Sequence, residues 1–413
     1  MCAVTMTGQT LQECQSAAER NYPLIRQYAL IEKTEALTVS NIQKGWLPQV
    51  ALAAQYTLQS DVTAFPEQLQ TLYGQAGITM KGLKKSQYKI AVELRQTLYD
   101  GGSISSRKET ARRQAAVDAA GNEVSMYDLK RRVNEMFFSV LLTEQRLKLN
   151  ADLQRLLEDN EKKLASMLKN GTAAESDWLN VKAERLKAVQ QMTELQSQHT
   201  ALVRMLSIFC GIEIKQLEMP PSDVVSPSGN VMRPELRMFD SQIGLIDSQE
   251  KVLDAELRPR LGLFANAYYG YPGYNMFEDM MRRRCSWNAM AGVSLTWKLG
   301  ALYTRRNDKR KLQVQRETVE VGRSRFLFDN SMQQIMHNED ISRYRRLMAD
   351  DDDIIRLRVS VRKAAESRLE HGIIDVNSLV TEINNESVAR ISRAIHEIEM
   401  LRAIYELKFT TNN

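Results

Sequence analysis

Proline is absent between Pro66 and Pro220, so nothing in that interval must stop a helix. Between Gly102 and Gly211 the only glycines are Gly121 and Gly171. Long apolar runs are missing too: no stretch reaches the ~18 residues a helix needs to cross a bilayer. Cysteine is scarce, and Cys2, Cys14, Cys210 and Cys285 show neither CxxC spacing nor histidines at ligand spacing. That excludes a disulfide scaffold and a zinc site, leaving buried or incidental thiols. His199, His337, His371 and His396 are scattered, with no nucleophile–base spacing, phosphate loop or metal motif. No enzyme, cofactor or metal site is expected. Charge of one sign is lacking as well: 56 Lys and Arg stand against 51 Asp and Glu, net +5. The basic residues sit beside acidic ones, as on solvated helix faces, so nucleic acid is not an expected partner.

What fills the proline-free interval is helix. Met126, Leu129, Val133, Met136, Phe137, Val140 and Leu141 step by three and four, laying one stripe on a helix. A single helix over residues 103–170 is roughly 100 Å long at ~1.5 Å per residue. Asn170-Gly171 breaks it as a left-handed cap would, and a second helix follows from about Thr172 to Phe209.

This hairpin occurs twice. Gly121 and Gly171 are 50 residues apart, as are Gly322 and Gly372. Pro23 and Pro48 are 25 apart, as are Pro234 and Pro259. The chain therefore reads as a tandem duplication: a first repeat over 10–218, a Pro/Ser-rich linker over 219–231 and a second repeat over 232–413. Residues 1–9 read as the remnant of a signal peptide or as a plain cytoplasmic start, and both readings stand. Gly121 and Gly322, each costing about 1 kcal/mol inside a helix, suggest close helix packing or a bend.

Residues 10–45 keep a helical beat with Pro23 as a kink, and Gly45-Trp46-Leu47-Pro48 ends it. The period then changes to two. Val50, Leu52, Ala54 and Tyr56 alternate with Gln49, Ala51, Ala53 and Gln55, which is a strand. A loop over about 60–86 precedes a second strand, with Ile90, Val92 and Leu94 opposite Lys89, Glu93 and Arg95. Asp100-Gly-Gly102 then opens the long helix. In the second repeat Leu261, Leu263 and Ala265 share a face after Pro259. Ala289, Ala291, Val293, Leu295 and Trp297 do so in the fourth strand, with a shorter loop between. The second long helix carries Leu312, Val319 and Phe326 at heptad spacing and runs to His371-Gly372. A last helix spans about Val376 to Leu407.

Four strands of about ten residues with one apolar face match segments of a transmembrane barrel, yet nothing in the sequence covers them. Four strands cannot close a useful barrel alone, and in lipid closure is compulsory, so several copies of the chain are needed.

Asn21-Tyr-Pro23, Trp46-Leu-Pro48, Leu98-Tyr-Asp-Gly-Gly102, Asn170-Gly171 with Asp177-Trp-Leu179, and His371-Gly372 with Ser378-Leu379 occur in that order. In these motifs the chain resembles the TolC-family outer-membrane efflux proteins. The resemblance implies a mainly α chain with a small β part. Three copies would make a twelve-stranded outer-membrane β-barrel continued by a periplasmic α-helical barrel. It implies an exit duct of a tripartite efflux or type I secretion system in a Gram-negative outer membrane. The partners would be the chain itself, a periplasmic adaptor, an inner-membrane pump of RND or ABC type, and outer-membrane lipid. The turns at Gly171 and Gly372 would be periplasmic tips, with Thr172, Ala173, Asp177, Ile373, Ile374, Asp375 and Ser378 as adaptor-docking candidates. Asp177 stands where the family often has an acidic tip residue, whereas the second repeat has Ser378 there and Asp375 nearby. The strand residues Val50, Leu52, Val92, Leu94, Leu263, Val293, Leu295 and Trp297 would face lipid. Trp287, Trp297, Tyr268, Tyr269, Tyr271 and Tyr274 are candidates for aromatic girdles. The competing class is a soluble coiled-coil scaffold, which does not explain why proline-led alternating segments recur at matching places.

Overall fold

The computed structural model describes residues 8–79, 82–222 and 231–412. Residues 1–7 with Cys2, and 223–230 of the linker, lie outside the described residues.

Helix α1 (Leu11–Asn21) opens on a reciprocal cap: the Thr10 hydroxyl accepts from the Glu13 N–H, and the Glu13 carboxylate accepts from the Thr10 N–H. Pro23 does more than kink the chain. It separates α1 from α2 (Ile25–Gln43), and a short 3₁₀ turn at Lys44–Trp46 leads to strand β1 (Gln49–Leu58). The loop expected after β1 contains a helix, α3 (Glu67–Gln75), started by Pro66. Strand β2 (Ser86–Tyr99) ends at Asp100, whose carboxylate accepts from the N–H groups of Gly102 and Ile104. That cap starts α4 (Ser103–Lys169), followed by α5 (Glu175–Cys210).

The second repeat runs α6 (Pro234–Glu256), β3 (Arg260–Tyr271), α7 (Met276–Arg282), β4 (Ser286–Thr296), α8 (Ala301–Glu370) and α9 (Val376–Thr411). Helix, strand, short helix, strand and a helical hairpin thus occur twice in the same order. The long helices keep the expected bounds to within a residue or so.

The contacts divide the chain into two compact units, each drawing on both repeats. One comprises Leu30–Asp118 and Asp240–Glu320 and holds the sheet. Its four strands pair antiparallel in the order β1-β2-β3-β4, leaving β1 and β4 as open edges. Arg305 to Asp254 at 2.7 Å and Lys309 to Glu250 at 2.8 Å tie α8 to α6.

The other unit comprises the described residues of Met1–Ala29, Ala119–Phe239 and Val321–Asn413. Its main core joins α1, α4, α5 and α9 through Cys14, Ala18, Val133, Phe137, Phe138, Leu206, Cys210, Ile398 and Leu401. The stripe expected on α4 supplies much of it. Helix α8 contributes little: in 70 residues it buries only Asn330, Ile341, Asp351 and Ala365. Leu312, Val319 and Phe326 are half-buried, Phe326 lying 6.2 Å from the Phe239 ring. Two positions along from each, Val314, Val321, Phe328 and then Ile335 form a second heptad row that is exposed.

The helix glycines do not serve close packing. A Cβ at Gly121 would meet no atom within 4 Å, and one at Gly322 would meet only the Phe239 ring, at 3.4 Å.

Candidate functional site: the apolar sheet face and the paired hairpin turns

Directly opposed residues of an antiparallel pair point to the same side of a sheet. The register sets Val50 against Leu94 and Leu52 against Val92. Leu94 then stands against Ala265 and Gln96 against Leu263. Leu263 faces Val293, and Leu261 faces Leu295. Seven of the eight expected lipid-facing residues therefore lie on one continuous face crossing all four strands. Trp297 departs only in place: it follows the end of β4, and its Nε1 donates to the Leu257 carbonyl at 2.9 Å.

The opposite face carries Gln49, Glu93, Arg95, Asn266 and Ser294, with Arg95 paired to Glu93 at 3.2 Å. Phe264 lies across Gly292, where a Cβ would come within 2.9 Å of the ring. No layer of the described residues covers the apolar face: Leu52 is 74% exposed, Val293 64% and Leu295 70%. Each such side chain left in water forgoes about 2 kcal/mol of burial.

One end of this face is aromatic. Tyr56 pairs with Tyr88, and Tyr269 lies 5.3 Å from Trp287 across the β3–β4 pair. The tyrosines expected to join them divide. Tyr268 is on the opposite face by alternation, edge-on to Tyr274 at 5.3 Å. Tyr271 is buried beneath the connections, its hydroxyl accepting from the Lys84 N–H at 3.0 Å.

The two hairpin turns are built alike. Gly171 has φ +73° and Gly372 φ +67°. Gly171 N–H donates to Leu168 at 3.0 Å and Thr172 N–H to Met167 at 2.9 Å, the paired bonds of a left-handed cap. Gly372 and Ile373 repeat them onto Leu369 and Arg368 at 2.9 and 2.8 Å. A Cβ at either glycine would meet nothing within 4 Å, so the backbone angle, not crowding, demands glycine.

The remaining turn candidates divide by contact. The Thr172 hydroxyl donates to the Met167 carbonyl at 3.0 Å, completing the cap. Ala173 and Ile374 are half-buried against a cluster that includes Leu157, Leu164, Val181, Ala365, Leu379 and Ile383 and is shared by α4, α5, α8 and α9. Ile373 is free of that cluster and 70% exposed. Asp177 accepts from the Ala174 N–H at 3.4 Å, three residues into its helix start. Asp375 instead is the cap residue, accepting from the Ser378 N–H at 2.9 Å and from its hydroxyl. The Ser378 hydroxyl holds the Asp375 carboxyl below its ordinary value. Both acids are thus engaged in starting helices. The turns are also linked: the Asn180 amide donates to Asn377, and Lys163 pairs with Glu370 at 3.2 Å.

An ion pair near the turns escaped the sequence reading. Arg185 on α5 meets Glu161 on α4 at 2.5 Å, and Arg362 on α8 meets Glu386 on α9 at 2.6 Å. Glu161 and Arg362 are 201 residues apart, as are Arg185 and Glu386 and also Gly171 and Gly372. The same bridge therefore stands at the same place in both repeats with its charges exchanged. Burial works to raise the Glu386 carboxyl, but Arg362 and Arg390 hold it below its ordinary value.

The histidines are engaged elsewhere: His396 with Asp351 at 2.5 Å and His199 with Glu144 at 3.2 Å, while burial lowers the pKa of His337. Among the described residues no group of three or more His, Cys, Asp or Glu is placed to hold a metal ion. None of their helices is long and apolar enough to cross a membrane.

Glu161→Arg or Arg185→Glu alone sets like charges together and is expected to cost about 1–2 kcal/mol, read as a lower melting temperature. The double exchange, which copies the second repeat, is expected to recover most of it. A double variant no more stable than the singles would show that the bridge is not interchangeable.

No family model matches the chain, and no curated protein matches it in sequence. Solved structures do match in fold. The OprN outer-membrane channel aligns with a TM-score of 0.67 over 97% of this chain and 89% of its own, at 15% identity. The open state of the Neisseria gonorrhoeae MtrE outer membrane channel aligns with 0.67 over 98% and 89%, at 12% identity. The Campylobacter jejuni CmeC outer membrane channel gives 0.65 over 97% and 85%, at 11% identity. Over nearly its whole length, then, this chain has the fold of the outer-membrane channels, the fold that its resemblance to the TolC family implies.

Proposed function

We propose that the protein is an outer-membrane exit duct, assembled from three copies and fed through a periplasmic adaptor by an inner-membrane pump. The observation that carries this reading is the continuous apolar face across four strands, uncovered and bounded by two open edges. In water such a sheet is an aggregation template. In lipid the face is satisfied, and the edges are satisfied once β1 of one copy pairs with β4 of the next. Three copies give twelve strands, the number the TolC-like fold implies. The aromatic end formed by Tyr56, Tyr88, Tyr269 and Trp287 suits a membrane interface.

The helices support the same assembly. Val314, Val321, Phe328 and Ile335 on α8 form an exposed row that no layer of the described residues covers, suited to a neighbouring copy in an α-helical barrel. The soluble scaffold has no observation in its favour, because it leaves the apolar face in water. Within the turns, Ile373 is the strongest adaptor-docking residue, being apolar and exposed. Thr172, Asp177, Asp375 and Ser378 hold the turns in shape, and Ala173 and Ile374 anchor them.

Cell-envelope fractionation tests the assembly. An outer-membrane band near three times 47.2 kDa that collapses on boiling is expected. A soluble protein without that band would overturn it. Cysteines at Val50, Val92, Leu263 and Val293 are expected to react with lipid-phase reagents, and those at Gln49 and Glu93 with aqueous ones. Uniform labelling would remove the barrel. Ile373→Glu, or Gly171→Val with Gly372→Val, is expected to abolish export while the heat-sensitive trimer persists. Unchanged export would remove the docking role of the turns.

A further inference from the structure

Cys14 and Cys210 meet in the core of the helical unit. Cys14 is 0% exposed and Cys210 2%, and the Cys210 thiol lies 3.4 Å from the Cys14 carbonyl oxygen. The neighbouring Cys210 thiol pushes Cys14 up, and Cys14 in turn draws Cys210 down. The pair sits where α1, only 11 residues long, is fastened to the end of α5. On one side of it the Asn21 amide donates to the carbonyls of Ile208 and Phe209 at 3.1 and 3.2 Å. On the other, Gln9 and Glu218 extend the contact: Gln9 N–H donates to Gln216, and Glu218 N–H to Gln9. Every one of these fastenings is noncovalent, and 196 residues of chain separate the two sulfurs.

We propose that Cys14 and Cys210 are a redox pair that closes to a disulfide, stapling α1 to α5. This rests on the reading above in one respect: it places the helices in the periplasm, an oxidising compartment. The co-reactant is an oxidised dithiol carrier of the thiol–disulfide exchange class. The Cys210 thiolate attacks one carrier sulfur, forming a mixed disulfide and releasing the other carrier sulfur as a thiolate. Cys14 then loses its proton and attacks Cys210 Sγ, expelling the second carrier thiolate. Two protein thiols are oxidised, the carrier disulfide is reduced to two thiols, and the two protons pass to it. Since both sulfurs are buried once α1 has docked, the exchange belongs to folding, before docking is complete. Cys285, half-exposed and hydrogen-bonded to the Tyr88 hydroxyl, has no cysteine beside it among the described residues and serves as the internal control.

The test uses the full chain from isolated envelopes, denatured in iodoacetamide without reductant, digested and weighed. Peptides containing Cys14 and Cys210 are expected joined and lighter by two hydrogens, with Cys285 alkylated. Reduction is expected to lower the melting temperature by about 5 °C, as a staple across a long loop should. Alkylated Cys14 and Cys210 in protein recovered from the outer membrane would overturn the pair and leave the duct reading intact. Independently, purified reduced protein is unfolded, then refolded with oxidised glutathione. Failure to join these two cysteines there would overturn the pair wherever the protein resides. A cytoplasmic location, by contrast, is read in the fractionation and bears on the duct.

Discussion

The unpaired backbone along the outer edges of β1 and β4 is the constraint on which the rest of this molecule depends. Strand groups that find no partner are a liability in water and are forbidden in hydrocarbon. This chain leaves a ten-residue strand at one edge and an eleven-residue strand at the other open to pairing. Among the described residues, short strands, prolines and a covering helix shield neither edge. The apolar face makes the same demand from the side. In the assembly proposed above, a closed wall of several copies in a membrane satisfies both at once, and the α8 row of Val314, Val321, Phe328 and Ile335 extends it into the helices.

Duplication solves the remaining problem, which is to build a wall from like parts without letting the parts interchange. The turns at Gly171 and Gly372 share one backbone geometry, yet their acids sit at different places, Asp177 inside the helix start and Asp375 at the cap. The bridges Glu161–Arg185 and Arg362–Glu386 share one location with opposite polarity. A helix of one hairpin paired with the partner helix of the other would therefore set like charges together, Glu161 against Glu386 or Arg362 against Arg185. Pairing by charge sense is a device for register as much as for stability.

Much of the fold was legible because it is written in periods. A change from 3.6 to 2 at Pro48 located β1 to its first residue, and Gly171 located the first turn. The short helices α3 and α7 were missed for an identifiable reason: glycines and prolines nearby read as loop. Yet Pro66 before Glu67, and Asn275 with Glu278, are start signals that local capping rules recognise. Of the site, the apolar face was legible by alternation alone, whereas its continuity across strands needed the register. Among the girdle candidates, alternation alone separates Tyr268 from Tyr269, but the packing of Tyr268 against Tyr274 needed the structure. The exchanged ion pair was hidden because comparison of repeats looks for like residues, and here the likeness is of position only. The Cys14–Cys210 contact joins segments 196 residues apart that no spacing rule connects.

The same physics accounts for a fold that matches at 11–15% identity where no sequence model does. For a duct, the function proposed above, no atom has to sit beside a reacting bond. What it needs is apolar residues at period two on one sheet face, apolar rows at heptad spacing, and a residue tolerating positive φ at two turns. Val, Leu, Ile and Ala satisfy the first two interchangeably, and only the third narrows the choice to glycine or little else. A wall specified by pattern can change nearly every side chain while keeping its backbone. The positions held by geometry rather than pattern are therefore few: Gly171 and Gly372 at the hairpin turns are two of them, and Gly101, Gly102 and Gly211 at helix ends are others.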